Sequence, residues 1–200
     1  MMFARQYGSL TGAVAYQYFP EQTVIVSQDT FTPVTLAEAK NFLRVYDDVD
    51  DTSIQSLLVG VTQQVEQYIG KDTTPRVRMS FWSRPKQLVA IPRSPVSTVT
   101  NVTQVNRDGT EQVVDATEYV VEGLDIKSIR FNHGYNALKV TYNSGYVSCP
   151  DAIKGAILQE LSLQYKNRQD SAQPSRTSVN GLSIEARHLL LGGGFYEYSR

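Results

Sequence analysis

The sequence has little of what most protein chemistry needs. Its 200 residues include one cysteine, Cys149, and two histidines, His133 and His188. An internal disulfide and a thiolate metal site are therefore excluded, and folding in a reducing compartment is expected. No apolar run reaches the roughly 18 residues that cross a bilayer. Met1 to Gln6 place no charged stretch before an apolar core, so a soluble chain with no export signal and no membrane partner is expected. Neither sign of charge is in excess. Lysine and arginine total 19 against 20 aspartates and glutamates, a formal net charge of -1, which leaves no global positive field for coating DNA. What is abundant is tyrosine, 12 of the 20 aromatic residues, a side chain suited to surfaces that are apolar yet meet water.

The residues that remain do not assemble into a catalytic or metal signature. Cys149 directly precedes Pro150 at a helix start, where a thiol pKa can fall, but no recognisable motif joins it to either histidine. No enzyme and no cofactor are expected, and no catalytic residue is assigned. Gly192, Gly193 and Gly194 do not follow a strand or open a helix, so no phosphate cradle is supported. The run Asp47-Asp48-Val49-Asp50-Asp51 lacks the central glycine and terminal glutamate of an EF-hand loop. It reads as a solvated loop capping a helix, with cation binding as the less favoured alternative.

Periodicity divides the chain. Residues 1–32 read as an extended arm, with one short strand at Val24-Ile25-Val26. Thr35-Leu36-Ala37-Glu38 has capping-box spacing and opens a helix over about 35–45. A second helix, about 52–69, repeats Ile54, Leu57, Leu58, Val61, Val65, Tyr68 and Ile69 at helical spacing and stops at Gly70. The aspartates sit at its positive end, each favoured by about 0.3–1 kcal/mol. These two helices should form a hairpin. From about 73 to 147 the period becomes alternating, with turns at Asp108-Gly109, Glu122-Gly123 and His133-Gly134, which predicts five or six short antiparallel strands. Pro150-Asp151 opens a third helix, about 151–168. Residues 169–200 are rich in serine, glycine and asparagine and read as a C-terminal arm without a core of its own. The predicted class is α+β: a small helical bundle, the hairpin plus the third helix, with an inserted antiparallel β region and extended N- and C-terminal arms.

Charge is segregated within the β region. From Lys71 to Arg93 the surplus is five positive, carried by Arg76, Arg78, Arg84 and Lys86 among others; from Arg107 to Asp125 it is five negative, carried by Glu111, Asp115, Glu118 and Glu122 among others. Two readings stand level. The blocks join neighbouring subunits head to tail, or adjacent strands pair them within one subunit.

In this order the chain resembles the head-tail connector (adaptor) proteins of tailed bacteriophages. The resemblance rests on Val34-Thr35-Leu36-Ala37-Glu38-Ala39-Lys40-Asn41-Phe42-Leu43-Arg44-Val45, on the aspartates ending in Asp50-Asp51, and on Val65-Glu66-Gln67-Tyr68-Ile69-Gly70-Lys71. It continues through Ile91-Pro92-Arg93-Ser94-Pro95-Val96, Tyr119-Val120-Val121 and Val140-Thr141-Tyr142-Asn143-Ser144-Gly145-Tyr146 to Pro150-Asp151-Ala152-Ile153. It covers about 33–168, a connector domain, and leaves out the N-terminal arm.

The resemblance implies a structural virion protein in the neck between head and tail, assembled in the host cytoplasm. It implies a ring of about twelve copies that binds the portal protein and a tail or stopper protein and lets double-stranded DNA pass non-specifically. It also implies a C-terminal segment that grips the portal. We expect Leu189, Leu190, Leu191, Phe195, Tyr196 and Tyr198 there, as apolar residues without local packing, and expect deletion of 183–200 to leave the domain folded. Asp47, Asp48, Asp50 and Asp51 are expected at the channel or its rim, where negative charge lets DNA slide. The alternatives are a stopper or tail-completion protein lower in the neck, and a non-viral carbohydrate- or ligand-binding β module.

Overall fold

In the computed structural model the described residues are 5–7 and 15–17, by backbone alone, and 19–28, 32–167 and 182–195. In chain order the elements are β1 (Arg5–Tyr7), β2 (Ala15–Gln17), β3 (Gln22–Gln28), α1 (Leu36–Leu43), α2 (Asp51–Ile69), β4 (Arg76–Trp82), β5 (Leu88–Ala90), β6 (Val96–Val105), β7 (Glu111–Val113), β8 (Tyr119–Glu122), β9 (Ser128–Phe131), β10 (Leu138–Ser144), α3 (Asp151–Asn167) and α4 (Ile184–Gly192). The class is α+β, as expected. The chain divides into two compact units, each discontinuous in sequence: a sheet unit, Met1–Asp29 with Pro75–Gly145, and a helical unit, Thr30–Thr74 with Tyr146–Ser199.

The sheet unit holds more strands than the alternation predicts. Seven lie between Arg76 and Ser144, and they are split between two sheets. One has the order β3-β4-β10-β6-β7, the other β5-β9-β8, and β1 pairs with β2 separately. Every pairing is antiparallel. Alternating apolar residues identify a strand but not its partner, which is why neither the second sheet nor the pairing of β3 with β4 is legible locally. β10 is central to the larger sheet and turns Leu138, Val140, Tyr142 and Ser144 to the buried side. Leu138, Val140 and Tyr142 meet Trp82, Val96, Val102, Val89, Ile129 and Phe131 in one core.

Two of the expected turns are built on glycine. At Gly109 (φ 84°) the β6–β7 turn is closed by Asn106 N donating to Thr110 O at 2.9 Å. At Gly123 (φ 98°) a Cβ would stand 2.2 Å from the Ile126 carbonyl oxygen, so the β8–β9 turn admits no side chain there.

The helical unit starts where the sequence says it should. Glu38 N donates to Thr35 Oγ1 at 3.2 Å while Thr35 N donates to Glu38 Oε2 at 2.7 Å, a reciprocal cap on α1. Those bonds from Thr35 hold the Glu38 carboxyl below its ordinary pKa. Gly70 ends α2 in the left-handed region, φ 65°. α1 packs on α2 and α3, α2 on α3, and α3 on α4. Their core gathers Ala39, Ile54, Leu58, Val61, Val65, Ile153, Ile157 and Leu161 with Leu182, Ala186, Leu190 and Phe195.

Leu182, Ala186, Leu190 and Phe195 correct the expectation of a C-terminal arm without packing. α4 is a capped helix, Ala186 N donating to Ser183 Oγ at 3.3 Å, and Leu182 just before it and Ala186 and Leu190 within it are buried at intervals of four residues. That period is short and lies between a serine-containing stretch and three glycines.

Candidate functional site

The candidate site is the surface of the described residues, taken residue by residue. The aspartate run is the most elaborated part of it. Lys40, on α1, reaches Asp48 Oδ1 at 2.7 Å and Asp51 Oδ1 at 2.6 Å. This raises the Lys40 pKa, through its bond to Asp48 and then that to Asp51, and lowers that of Asp48. Tyr165, on α3, donates its hydroxyl to Asp50 Oδ2 at 2.6 Å, and Val49 N donates to Asp47 Oδ1 at 3.2 Å. The run thus ties α1, α2 and α3 together, and its freely exposed members are Asp47 and Asp48. Among the described residues no group of three or more His, Cys, Asp and Glu side chains is placed to hold a metal ion. Beside the run Tyr46 and Val49 stand almost fully exposed.

The acidic block of the sheet unit is engaged within the chain. Glu111 pairs with Lys139. Glu122 accepts from Arg130 Nε at 2.6 Å, which lowers its pKa and raises that of Arg130. Glu118 meets His133 Nδ1 at 3.0 Å and accepts from the Tyr135 hydroxyl at 3.3 Å. Asp115 caps a short turn by accepting from Thr117 N at 2.9 Å, and that bond lowers its pKa. The cations involved, Lys139 and Arg130, belong to neither charge block, a cross-strand pairing that sequence separation hides. In the basic block Arg84 and Lys86 are exposed and Arg76 is half-buried. Arg78 is buried on β4 beside Ser80 and Trp82, on the inward side of the pleat. Its assignment to a subunit surface is therefore corrected.

The proposed portal residues are also redistributed. Leu190 is fully buried and Phe195 nearly so in the helical core, the Phe195 ring lying 5.7 Å from Lys71 Nζ. Helical geometry places Leu190 inward while its neighbours Leu189 and Leu191 flank it at 44% and 43% exposure, with Ile184 at 42%. Tyr196 and Tyr198 lie outside the described residues. Deleting 183–200 would strip Ala186, Leu190 and Phe195 from the core, so that deletion no longer tests attachment alone.

Cys149 is buried at the start of α3, and burial pushes its thiol up to about 11. Desolvation outweighs any help from the helix end, and the group is held as a neutral thiol.

Two functional-looking residues escaped sequence reasoning. Glu66, on α2, and Glu160, on α3, are both buried. Glu66 Oε1 accepts from Thr73 N at 2.9 Å and from Thr73 Oγ1 at 2.6 Å. Glu160 Oε2 accepts from Ser183 N at 2.9 Å. Each pins a chain segment that leaves or enters a helix. A glutamate in a helix ordinarily reads as solvated, and nothing in the local pattern says otherwise.

A family model described as head completion protein matches residues 33–188. The chain belongs to the head completion protein family. No curated protein sequence matches it. Among solved structures, it is similar to a chain in the virion of a native gene transfer agent particle, with a TM-score of 0.68 and 16% identity, covering 89% of this chain and 96% of that one. It is similar to a chain in the neck of an empty gene transfer agent particle computed with C6 symmetry, with a TM-score of 0.67 and 18% identity, covering 84% and 94%. A chain in the neck of the native particle computed with C12 symmetry gives a TM-score of 0.63 at 15% identity, covering 84% and 94%. These likenesses establish that the fold of this head completion protein family member is shared. Among the described residues no helix is long and apolar enough to cross a membrane.

Proposed function

We propose that this chain is a structural protein of the neck of a tailed, phage-like particle. Copies form a ring of about twelve, bind the portal above and a tail or stopper protein below, and leave a hole through which double-stranded DNA passes. The observation that carries this reading is the match to the head completion family over residues 33–188. Shared fold with chains of gene transfer agent virions and necks supports it, and the sixfold and twelvefold symmetries used for two such necks are both compatible with that copy number.

In this reading 33–168 is the connector domain, in which the bundle of α1, α2 and α3 carries an inserted β segment, and 1–32 and 169–200 add contacts to neighbours. The outward side chains of α4, Ile184, Leu189 and Leu191, meet the portal. Asp47 and Asp48 face the channel or its rim, where carboxylates leave phosphates un-neutralised and DNA free to slide. The chemistry is recognition and assembly, without a covalent step.

The double variant Leu189→Ser, Leu191→Ser tests portal attachment without opening the core, because both side chains are half exposed. It should unfold at nearly the wild-type temperature yet fail to join portal-bearing heads in a pull-down. Normal joining, and a normal yield of tailed particles, would refute the role of α4. Binding to tail tube in place of portal would move the protein to a lower station in the neck.

A further inference from the structure

Apart from Asp51 at the start of α2 and Asp151, Lys154 and Lys166 at the ends of α3, these two helices carry their charge on the inside. Between Thr52 and Ile69 the only charged residue of α2 is Glu66, and between Gly155 and Tyr165 the only one of α3 is Glu160. Both are 4% exposed and turned onto backbone N–H groups. The outward positions of α2 are instead neutral, with Ser53, Ser56, Val59, Gly60, Gln63 and Gln67 among them. Half-buried Gln159, Ser162 and Leu163 continue the same chemistry on α3. Gln164 Nε2 of α3 donates to Gln64 Oε1 of α2 at 2.8 Å, so neutral residues also bridge the two helices. Solvated helix faces ordinarily carry charged side chains, and one-fifth of this chain is charged.

Gly60 adds a second sign. A glycine inside a helix costs about 1 kcal/mol relative to alanine, and nothing lies within 4 Å of where its Cβ would stand. No packing demand from the described residues explains it. A missing Cβ on an outward face lets another backbone come close.

We infer that the charge-free surface of α2 and α3 is the site at which a second copy of this chain packs; this rests on the ring proposed above and names its contact. The core of a protein interface is depleted in charge, as this surface is. DNA is held through lysine and arginine on phosphates, and the stretches Thr52 to Ile69 and Gly155 to Tyr165 offer neither. A strongly charged partner would bury its own charges unpaired there. A second copy matches neutral surface to neutral surface, and with α2 of one copy set against α3 of the next the contact is head to tail and repeats around a closed ring.

Gln63→Glu tests this with almost no change of shape, and Gly60→Arg tests it with bulk and charge at a position open to solvent. Thermal unfolding of both full-length variants should match or exceed wild type. Sedimentation velocity over a concentration series, and cross-linking between copies on portal-bearing heads, should show self-association weakened by roughly tenfold or more for Gln63→Glu and roughly a hundredfold for Gly60→Arg, as for an unpaired charge in an interface. Variants that assemble like wild type overturn the contact while leaving the ring intact. Variants that assemble normally but retard DNA ejection overturn it in favour of a channel lining. A wild-type chain that is monomeric at every concentration, and joins heads only as single copies, overturns the ring and the contact together.

Discussion

Replacing Glu160 by alanine should release α4 from the bundle without dismantling the rest of the helical unit. Glu160 Oε2 accepts the Ser183 N–H at 2.9 Å, and Oε1 accepts Gln164 Nε2 at 3.1 Å. Ser183 is itself buried, so without the carboxylate its N–H is left unsatisfied beneath the α4 cap. A hydrogen bond to a charged acceptor is worth about 1.5–3 kcal/mol. Emptying the space of the side chain beyond Cβ adds about 1–2 kcal/mol. The sum, about 3–5 kcal/mol, falls first on α4, which also packs on α3 and places Ala186 and Leu190 in the helical core. Hydrogen exchange reads this directly, because each 1.4 kcal/mol is about tenfold in the opening equilibrium. Amides of 186–191 should exchange about a hundredfold faster or more, while α2 amides around Val61 change several-fold less. Glu160→Gln keeps an oxygen facing Ser183 and should show less than about tenfold. Equal acceleration across α2 and α4, or none in α4, would refute the argument that this carboxylate is a local tether.

Two further outcomes follow from geometry. Gly123→Ala should destabilise the sheet unit by about 1–3 kcal/mol, since its Cβ would meet the Ile126 carbonyl oxygen at 2.2 Å and its φ is 98°; thermal unfolding beside Gly60→Ala, which should gain up to about 1 kcal/mol, checks the contrast. Cys149 should resist alkylation in the native chain at pH 8 and react at once in denaturant. Its folded pKa, about 11, lies above the ordinary thiol value of 9.0, so the unfolded chain releases the proton first. Stability therefore falls as pH rises from 9 to 11, by at most about 2–3 kcal/mol, and urea unfolding of Cys149→Ala should lack that part of the slope.

Much of the fold is legible because local chemistry and tertiary structure agree. Thr35 and Glu38 announce α1, the apolar period from Ile54 to Ile69 announces α2, Gly70 closes it, and Pro150-Asp151 opens α3. Where the reading fell short, the deciding partner was distant. β3 belongs to the sheet only because β4, far along the chain with Gln22 paired to Phe81 and Gln28 to Arg76, supplies its ladder. Arg130 and Lys139 engage Glu122 and Glu111 across strands. Composition suggested an unpacked C-terminal tail, whereas three residues at helical spacing, Leu182, Ala186 and Leu190, were enough to seat α4. Glu66 and Glu160 show the reverse failure, charged residues that read as surface and serve as internal anchors for Thr73 and Ser183.

The interleaving of the two units also sets an order of birth. The sheet unit has all its strands once Ser144 has emerged, but the helical unit waits for Leu190 and Phe195. At about 5–20 residues per second, α1 and α2 stand synthesised for roughly 6–25 s before α3 and α4 are complete. Through that interval Ile54, Leu58, Val61 and Val65 lack the apolar surface that finally covers them. The nascent hairpin is thus the stage at which a ribosome-bound chaperone would matter most, and slow codons between Gly145 and Phe195 would lengthen its exposure.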